Sequence, residues 1–340
     1  MLKVSIIIPG GFFLGKYYLT AIHSEANHAG SKAQSDIASI LNKNGFLSIY
    51  VDAEQTKWEK RLFFRKNMLN KLSKIDENSL FLVQYPFYMG RYADFIITDT
   101  ITNTFDRSAI LIHDIPSLRN KLEDKYVKRE INIFNKYKFV IAHNESMKKW
   151  LVENGCKSKI ILLSLFDYLV DDQIDEDKKI STNKIYFAGN LEKSKFVYDK
   201  SIGNNFNVFG INHIEGKGAF TYRGVETPEN LVRKLVVESG FGLVWDGNSI
   251  KSSDDYTKFN NPHKASMYLA SEMPIIVWDQ SALAEFVMDN KLGVTIKSLD
   301  QIDDVLNNIE DIDIIEKNVI EFAKKVRSGF FTERAINELT

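Results

Sequence analysis

Short apolar runs alternate with helical segments along nearly the whole chain, and this alternation constrains the fold more than any other feature. In the first half, strand-like runs lie at residues 2–8, 47–51, 80–85, 109–113, 139–142 and 160–163. Amphipathic helical periodicity is present between them at residues 31–41, 58–72 and 118–134. Strands that alternate with helices predict a parallel sheet with helices on both faces, which is a doubly wound α/β domain.

The alternation stops between residues 167 and 183, where the composition becomes acidic and polar, and then starts again. The second half has predicted strands at residues 184–187, 207–209, 220–223, 241–245, 274–278 and 292–296, and predicted helices at residues 231–236, 263–270, 283–288 and 302–309. A last amphipathic segment places Ile315, Val319, Phe322 and Val326 on one face. We expect this apolar face to pack against another part of the protein.

These patterns predict two Rossmann-like domains that face each other across a cleft. The predicted divisions are an N-terminal domain of residues 1–166, a linker of residues 167–183, a C-terminal domain of residues 184–311 and a C-terminal helix of residues 312–340 that packs back on the N-terminal domain. Ligands of doubly wound sheets bind outside the carboxyl ends of the strands. We therefore expect a binding site where the two sets of strand ends meet.

Composition narrows the class of protein. The chain has 340 residues, of which 44% are hydrophobic and 26% charged, values typical of a soluble globular protein. A formal net charge of -1 gives no electrostatic case for a nucleic-acid partner. Cys156 is the single cysteine, which excludes an intramolecular disulfide and a multi-cysteine metal site. Because no apolar run approaches the roughly 18 residues of a membrane span, we expect a cytoplasmic protein without a transmembrane segment.

A predicted helix start in the second half indicates an anion-binding site. Asn261 and Pro262 are typical of a helix N-terminus, and His263 and Lys264 follow where backbone N–H groups are unpaired. A cation at this position is unfavourable for the helix itself, so Lys264 suggests that an anion binds there.

A second predicted helix start lies after the strand at residues 274–278, where Ser281 can act as the cap beside Ala282. Two helix N-termini that flank one strand edge would form a cradle for a diphosphate.

The turn after the first strand of the second half adds positive charge to this edge. Gly189 and Asn190 suit a turn close to a ligand, while Lys193 and Lys195 offer charge to a phosphate. Asp246 ends another strand of the same predicted sheet and can accept hydrogen bonds from sugar hydroxyls. Each pattern alone is compatible with a solvated turn, but together with the helix-start lysine they predict a phosphate site.

Two glycines follow the first predicted strand of the chain. Gly10 and Gly11, with Asp52 at the end of the second strand, are features of a dinucleotide-binding site. The glycines do not fit G-x-G-x-x-G, however, and no helix begins directly after them. A loop that lets the backbone approach a substrate in the cleft and a plain tight turn both remain open.

Two further polar segments of the first half are candidates for contact with a substrate. The segment from His23 to Asp36 predicts either a surface loop or a loop over the cleft that recognises an acceptor. His113 and Asp114 close the fourth predicted strand, and either side chain could take a proton from an attacking hydroxyl. A purely structural role, in which Asp114 turns the chain between the strand and Pro116, is an equally supported alternative.

Several motifs are shared with a known protein family. They are Phe187-Ala188-Gly189-Asn190-Leu191, Tyr222-Arg223-Gly224, Gly242 to Gly247, Asn261-Pro262-His263-Lys264 with Tyr268-Leu269-Ala270, and Pro274 to Trp278 with Ser281-Ala282-Leu283-Ala284, joined in the first half by Ser31-Lys32-Ala33 with Asp36. Through them the chain resembles a bacterial glycosyltransferase family of the GT-B architecture. That family includes glucosyltransferases that extend N-acetylglucosamine on serine-rich repeat adhesins, and related galactofuranosyltransferases of surface polysaccharide pathways.

The resemblance implies a UDP-sugar donor held by the C-terminal domain, no cofactor or metal, and a homo-oligomer. On the matching motifs, it implies that Lys193, Tyr222 and Lys264 contact the nucleotide or its phosphates. Asn190 and Asn261 would shape the pocket around them.

The resemblance also implies that the acceptor enters over the N-terminal domain, where Lys32 and Asp36 lie with the glycine loop. If the reaction inverts the anomeric centre, a base must lie on this side. Asp114, His113, Asp36 and Glu25 are the candidates, and the sequence does not choose between inversion and retention.

We therefore predict a metal-independent GT-B hexosyltransferase that uses a UDP-sugar and a carbohydrate or glycoprotein acceptor, in adhesin glycosylation or surface polysaccharide synthesis. Three alternatives are a galactofuranosyltransferase, a non-catalytic scaffold partner of another glycosyltransferase, and an NAD-dependent oxidoreductase.

Overall fold

The structure is a computed structural model that describes residues 14–22, 29–52, 57–170, 181, 183–199 and 205–340. The N-terminal half contains β1 (Lys16–Ile22), α1 (Ala29–Lys43), β2 (Phe46–Asp52), α2 (Lys57–Leu72), β3 (Leu80–Tyr85), α3 (Arg91–Thr104), β4 (Arg107–Ile112), α4 (Pro116–Arg119), α5 (Asp124–Phe134), β5 (Phe139–Ala142), α6 (Glu145–Glu153) and β6 (Lys159–Leu162). The C-terminal half contains β7 (Ile185–Ala188), β8 (Phe206–Phe209), β9 (Thr221–Tyr222), α7 (Pro228–Glu238), β10 (Phe241–Val244), α8 (His263–Ala270), β11 (Ile275–Trp278), α9 (Ala284–Asp289), β12 (Gly293–Ile296), α10 (Ile302–Asn307), α11 (Ile312–Ser328) and α12 (Phe330–Asn337).

The described strands form two parallel sheets, as the alternation predicts. The first has the order β2-β1-β3-β4-β5-β6 and the second the order β12-β11-β10-β7-β8-β9. The inner strands are apolar on both faces because helices cover both sides, and every residue of β3, β5, β10 and β11 is buried. The direction of strand order reverses between β1 and β3, and between β7 and β10. Ligands of doubly wound sheets bind at such reversal points, so a ligand site is expected at the carboxyl ends of β7 and β10.

Several element predictions were wrong. β1 lies in a stretch predicted as a connection, and its run of tyrosine and leucine was missed because it contains few β-branched residues. The strand predicted at residues 2–8 lies outside the described residues. α3 and α6 were not predicted as helices, and the helix predicted at residues 118–134 is interrupted between α4 and α5, where Lys121 has a φ of 49°.

The C-terminal helix packs back on the N-terminal domain, which confirms that prediction. α11 contacts α8 of the C-terminal domain and ends at Gly329, whose φ of 90° suits glycine. α12 then contacts α1, and a Cβ on Gly329 would lie 2.8 Å from Ile40 Cγ1. Asp167 accepts hydrogen bonds from Phe331 N at 3.1 Å and Thr332 N at 2.7 Å, so its carboxylate pairs the free N–H groups that open α12. The chain thus crosses between the two domains a second time.

Candidate active site at the domain junction

Lys264 lies at the reversal point of the second sheet. Its Nζ donates hydrogen bonds to Asp246 Oδ1 at 2.6 Å and to Trp245 O at 3.0 Å, and lies 4.8 Å from the ring centroid of Phe187. These partners lie at the carboxyl ends of β7 and β10. The predicted site residues Lys264 and Asp246 are therefore adjacent, and the anion beside the lysine in this structure is a carboxylate of the chain itself.

The helix that carries Lys264 does not begin as predicted. Pro262 occupies the N-cap position of α8 and makes no side-chain cap, while the Asn261 side chain points away from the helix into the N-terminal domain. The N–H groups of the first turn are consequently not capped by a side chain. Ala265 N donates to Pro262 O at 2.9 Å, while the N–H groups of His263 and Lys264 remain available to an anion.

The turn after β7 lies on the same edge. Asn190 Oδ1 accepts hydrogen bonds from Glu192 N at 3.0 Å and Asn212 Nδ2 at 2.9 Å, which fixes the turn. Lys193 and Lys195 are exposed on it. Lys195 N donates to Asn248 Oδ1 at 3.4 Å and so joins this turn to the loop after β10. Two exposed cations thus lie on the sheet edge that carries Lys264.

Tyr222 ends β9 and forms part of an aromatic stack. Its ring lies parallel to His213, with centroids 4.0 Å apart, and its hydroxyl donates to Gly210 O at 2.9 Å. These two contacts hold the ring in place, and because the residue is 37% exposed, part of the ring faces solvent. A planar group of a ligand can stack on such a surface.

The loop after β11 differs from its prediction. α9 begins at Ala284, within one residue of the predicted start, with Leu283 at its N-cap. Ser281 makes no cap, so the predicted capping role of Ser281 was wrong, although a helix N-terminus is present after β11. Ala282 N instead donates to Thr257 O at 2.9 Å, which holds this loop against the segment before α8. Among the described residues, Ser281 Oγ is buried without a hydrogen-bond partner.

Asn261 connects the two domains. Its backbone N donates to His143 Nδ1 at 3.0 Å, and its Nδ2 donates to Ser164 O at 2.6 Å and His143 O at 3.3 Å. Asn144 Nδ2 in turn donates to Asn261 Oδ1 at 2.6 Å and Phe259 O at 3.0 Å. Asn261 is 2% exposed, so these bonds are shielded from water.

His143 is held in one neutral form by its two ring contacts. Nε2 donates to Ile112 O at 3.0 Å, which leaves Nδ1 as the acceptor for Asn261 N. Burial lowers the pKa of His143 to about 4. His143 and Asn144 were not predicted as site residues, although both follow β5 in the same way that His113 follows β4.

Asp114 and His113 both have partners in the structure. Asp114 Oδ1 accepts from the Tyr256 hydroxyl at 2.5 Å and Oδ2 from Arg119 Nη1 at 2.5 Å. His113 Nε2 donates to Gln84 Oε1 at 2.7 Å, and burial lowers the His113 pKa to about 3. Their assignment as a catalytic base stays a prediction, and the contacts favour a structural role for Asp114 at the domain junction.

Lys32 and Asp36 are brought together with His263. Lys32 Nζ donates to Asp36 Oδ1 at 2.5 Å and to Leu169 O at 2.9 Å, and lies 4.7 Å from the Tyr168 ring centroid. The Tyr168 ring also packs against His263, with 4.9 Å between the ring centroids. Burial raises the pKa of Asp36 and lowers that of His263 to about 4.

His263 Nε2 is one of several buried side-chain atoms that have no hydrogen-bond partner among the described residues. The other acceptor-side candidates, Gly10, Gly11 and Glu25, lie outside the described part of the chain. Within that part, no group of three or more His, Cys, Asp or Glu residues could hold a metal ion. None of the described helices is long and apolar enough to cross a bilayer.

Two doubly wound sheets whose strand ends meet at one junction define the GT-B class of glycosyltransferase fold. Sucrose-phosphate synthase from Thermosynechococcus elongatus superposes with a TM-score of 0.66 at 9% identity, over 95% of this chain and 98% of that one. Anabaena HepE in complex with UDP and glucose superposes with a TM-score of 0.60 at 11% identity, over 95% and 99% of the two chains.

The chain belongs to the glucosyltransferase 3-like family, because the N-terminal domain model of that family matches residues 16–165 and the C-terminal domain model matches residues 185–339. The β-1,6-galactofuranosyltransferase WbbI of Escherichia coli K12 is 28% identical over 95% of this chain and 98% of its own length. Glucosyltransferase 3 of Streptococcus gordonii is 24% identical over 89% of this chain and 92% of its own length.

Proposed function

We propose that this glycosyltransferase moves a hexose from a UDP-sugar, bound at the carboxyl edge of the second sheet, to a glycan or glycoprotein acceptor. The observation that carries this proposal is the position of Lys264, in the first turn of α8 and at the reversal point between β7 and β10. Adhesin glycosylation and surface polysaccharide synthesis are the contexts that its relatives suggest.

The diphosphate is the part of the donor that this edge suits best. Negative charge develops on UDP as the glycosidic bond breaks, and a site without a metal must balance it with cations and helix N–H groups. Lys264 and the uncapped first turn of α8 supply both, and Lys193 and Lys195 add exposed cations from the turn after β7. We therefore propose transfer without a metal ion or other cofactor.

The uridine and the sugar would occupy the two sides of the diphosphate. The exposed part of the Tyr222 ring offers a stacking surface for uracil, beside the Asn190 turn. Asp246 can accept a hydrogen bond from a donor hydroxyl through the carboxylate oxygen that Lys264 does not occupy. The acceptor would approach from the N-terminal domain, where Lys32 and Asp36 lie.

A panel of UDP-sugars separates the candidate activities. The protein is titrated with UDP in a calorimeter, with and without EDTA, and then incubated with UDP-glucose, UDP-galactose or UDP-galactofuranose and glycosylated peptides or oligosaccharides, with products read by mass spectrometry. A hexose mass shift that EDTA leaves unchanged supports the proposal. Failure to bind UDP contradicts it, while UDP binding without transfer to any acceptor favours the scaffold alternative.

A galactofuranosyltransferase is the second candidate, and the relative that favours it is WbbI, at 28% identity over nearly the whole chain. Transfer from UDP-galactofuranose and not from UDP-glucose in the same panel would select this candidate. Thermal-shift titration with NAD against UDP tests the oxidoreductase alternative, and analytical ultracentrifugation tests the proposed homo-oligomer.

A further inference from the structure

The segment from Asp255 to Lys264, here named the docking segment, contacts both domains. By chain order it belongs to the C-terminal domain, since it follows β10 and ends in the first turn of α8. Its side chains nevertheless contact residues at the carboxyl ends of β4 and β5 in the N-terminal domain. The docking segment therefore connects the acceptor-side domain directly to the helix that carries the proposed phosphate-binding lysine.

The first anchor of the docking segment is Tyr256. Its ring is 6% exposed, and its hydroxyl donates to Asp114 Oδ1 at 2.5 Å while it accepts from Ile115 N at 3.1 Å. The Arg119 guanidinium lies 5.5 Å from the ring centroid and also pairs with Asp114. Tyr256 thus fixes the beginning of the segment against the loop after β4.

The second anchor is Asn261, three residues before the lysine. Every hydrogen-bonding atom of its side chain has a partner in the N-terminal domain: Nδ2 donates to His143 O and Ser164 O, and Oδ1 accepts from Asn144 Nδ2. Asn144 makes a second bond to the segment, at Phe259 O. Because buried polar groups keep their partners, this anchor specifies one orientation of the two domains.

We propose that Asn144 and Asn261 are positioning residues for glycosyl transfer, which set the N-terminal domain in register with the donor held at Lys264. This inference rests on the proposed function. Lys264 keeps its own partners, Trp245 O and Asp246, within the C-terminal domain. Loss of the second anchor should therefore spare donor binding and impair transfer, which requires both domains in one geometry.

The two polar atoms of Asn144 separate this role from local stability. Oδ1 caps α6 by accepting from Met147 N at 2.9 Å, whereas Nδ2 makes both bonds to the docking segment. Serine also caps helices well, so Asn144→Ser keeps the cap and removes the two bonds between domains without adding charge. Asn154 ends the same helix with an exposed side chain whose bond goes to Trp150 O, so Asn154→Ser is the matched control.

The experiment measures UDP affinity, kcat and KM of the full chain for wild type, Asn144→Ser and Asn154→Ser, together with their unfolding temperatures. For Asn144→Ser we expect UDP affinity within twofold of wild type and kcat lower by roughly tenfold to hundredfold, as two lost hydrogen bonds in the transferring arrangement would give. Asn154→Ser should match wild type in all of these. Asn261→Ala should reproduce the loss of kcat.

Each outcome bears on one of the two proposals. A wild-type protein that neither binds UDP nor transfers sugar contradicts the proposed function itself. If wild type is active and Asn144→Ser retains its kcat, the positioning role is overturned. An equal loss of UDP affinity and kcat also overturns it, because the anchor would then act on donor binding. A fall in unfolding temperature large enough to account for the lost activity overturns it as well, because the anchor would then be structural only.

Discussion

Replacement of Lys264 by methionine tests the proposed donor site most directly. Methionine keeps an unbranched side chain that can pack near Phe187, where the ammonium now lies 4.8 Å from the ring centroid, and removes the charge. An ammonium has three donors, and in this structure two of them go to Trp245 O and Asp246 Oδ1. One donor therefore remains for a phosphate oxygen.

The expected magnitude follows from that single donor. A hydrogen bond to a charged group contributes about 1.5–3 kcal/mol, and about 1.4 kcal/mol is a factor of ten, so UDP affinity should fall roughly tenfold to 150-fold. The stability cost should be small, since an ion pair of partly exposed side chains, 17% for Lys264 and 33% for Asp246, contributes at most about 1 kcal/mol. Lost affinity would then not reflect unfolding.

Calorimetric titration with UDP, repeated at two salt concentrations, measures this effect. Lys251→Met is the matched control, because Lys251 is an exposed cation of the same domain whose contacts among the described residues are with Asp300 and Ser249. The control should bind UDP as wild type does. Affinity of Lys264→Met within twofold of wild type would refute the assignment of this lysine to the diphosphate.

Three further outcomes are expected. Gly242→Ala should destabilise the fold by about 1–3 kcal/mol in denaturant unfolding, because a Cβ there would lie 2.2 Å from Tyr268 Cγ. Tyr222→Leu should weaken UDP binding roughly tenfold in calorimetry through the lost stacking surface. Burial lowers the pKa of His143 to about 4, so between pH 6.5 and 4 this histidine takes up a proton in the unfolded chain and not in the folded one. As pH falls through this window, His143 should therefore lower the free energy of unfolding by about 1.4 kcal/mol per pH unit. Asp167, with its pKa raised to about 6, opposes this, and His143→Asn should show a shallower decline on unfolding at several pH values.

The sequence predicted the sheets well because their strands are buried on both faces and therefore form continuous apolar runs, as in β3, whose predicted and observed bounds coincide. β1 is equally buried at Tyr17, Tyr18 and Leu19, but it was missed because its run contains few of the β-branched residues that mark the other strands.

Site residues whose position is determined by the end of a single strand could be predicted from the sequence. Site residues whose partners lie in the other domain could not. Lys264 and Asp246 follow from the rule that parallel strands end at one edge, and they lie 2.6 Å apart. Asn261 was predicted as a local helix cap, but its partners are His143, Asn144 and Ser164, more than 90 residues earlier. Helix propensity depends only on neighbouring residues, so it cannot reveal that the Asn261 side chain forms its hydrogen bonds with another domain.

The second crossing of the chain between domains has a mechanical consequence. The two crossings are joined side by side, since Asp167 on the first binds the N-terminus of α12 and Tyr168 N donates to Val326 O of α11 at 2.9 Å. Two separate tethers would restrict relative motion to rotation about the line between them. Joined in this way, the described parts of the two crossings form one connection between the domains, and the Asn261 anchor forms a second, separate one. Any change in the relative orientation of the domains must therefore break the buried hydrogen bonds of Asn261.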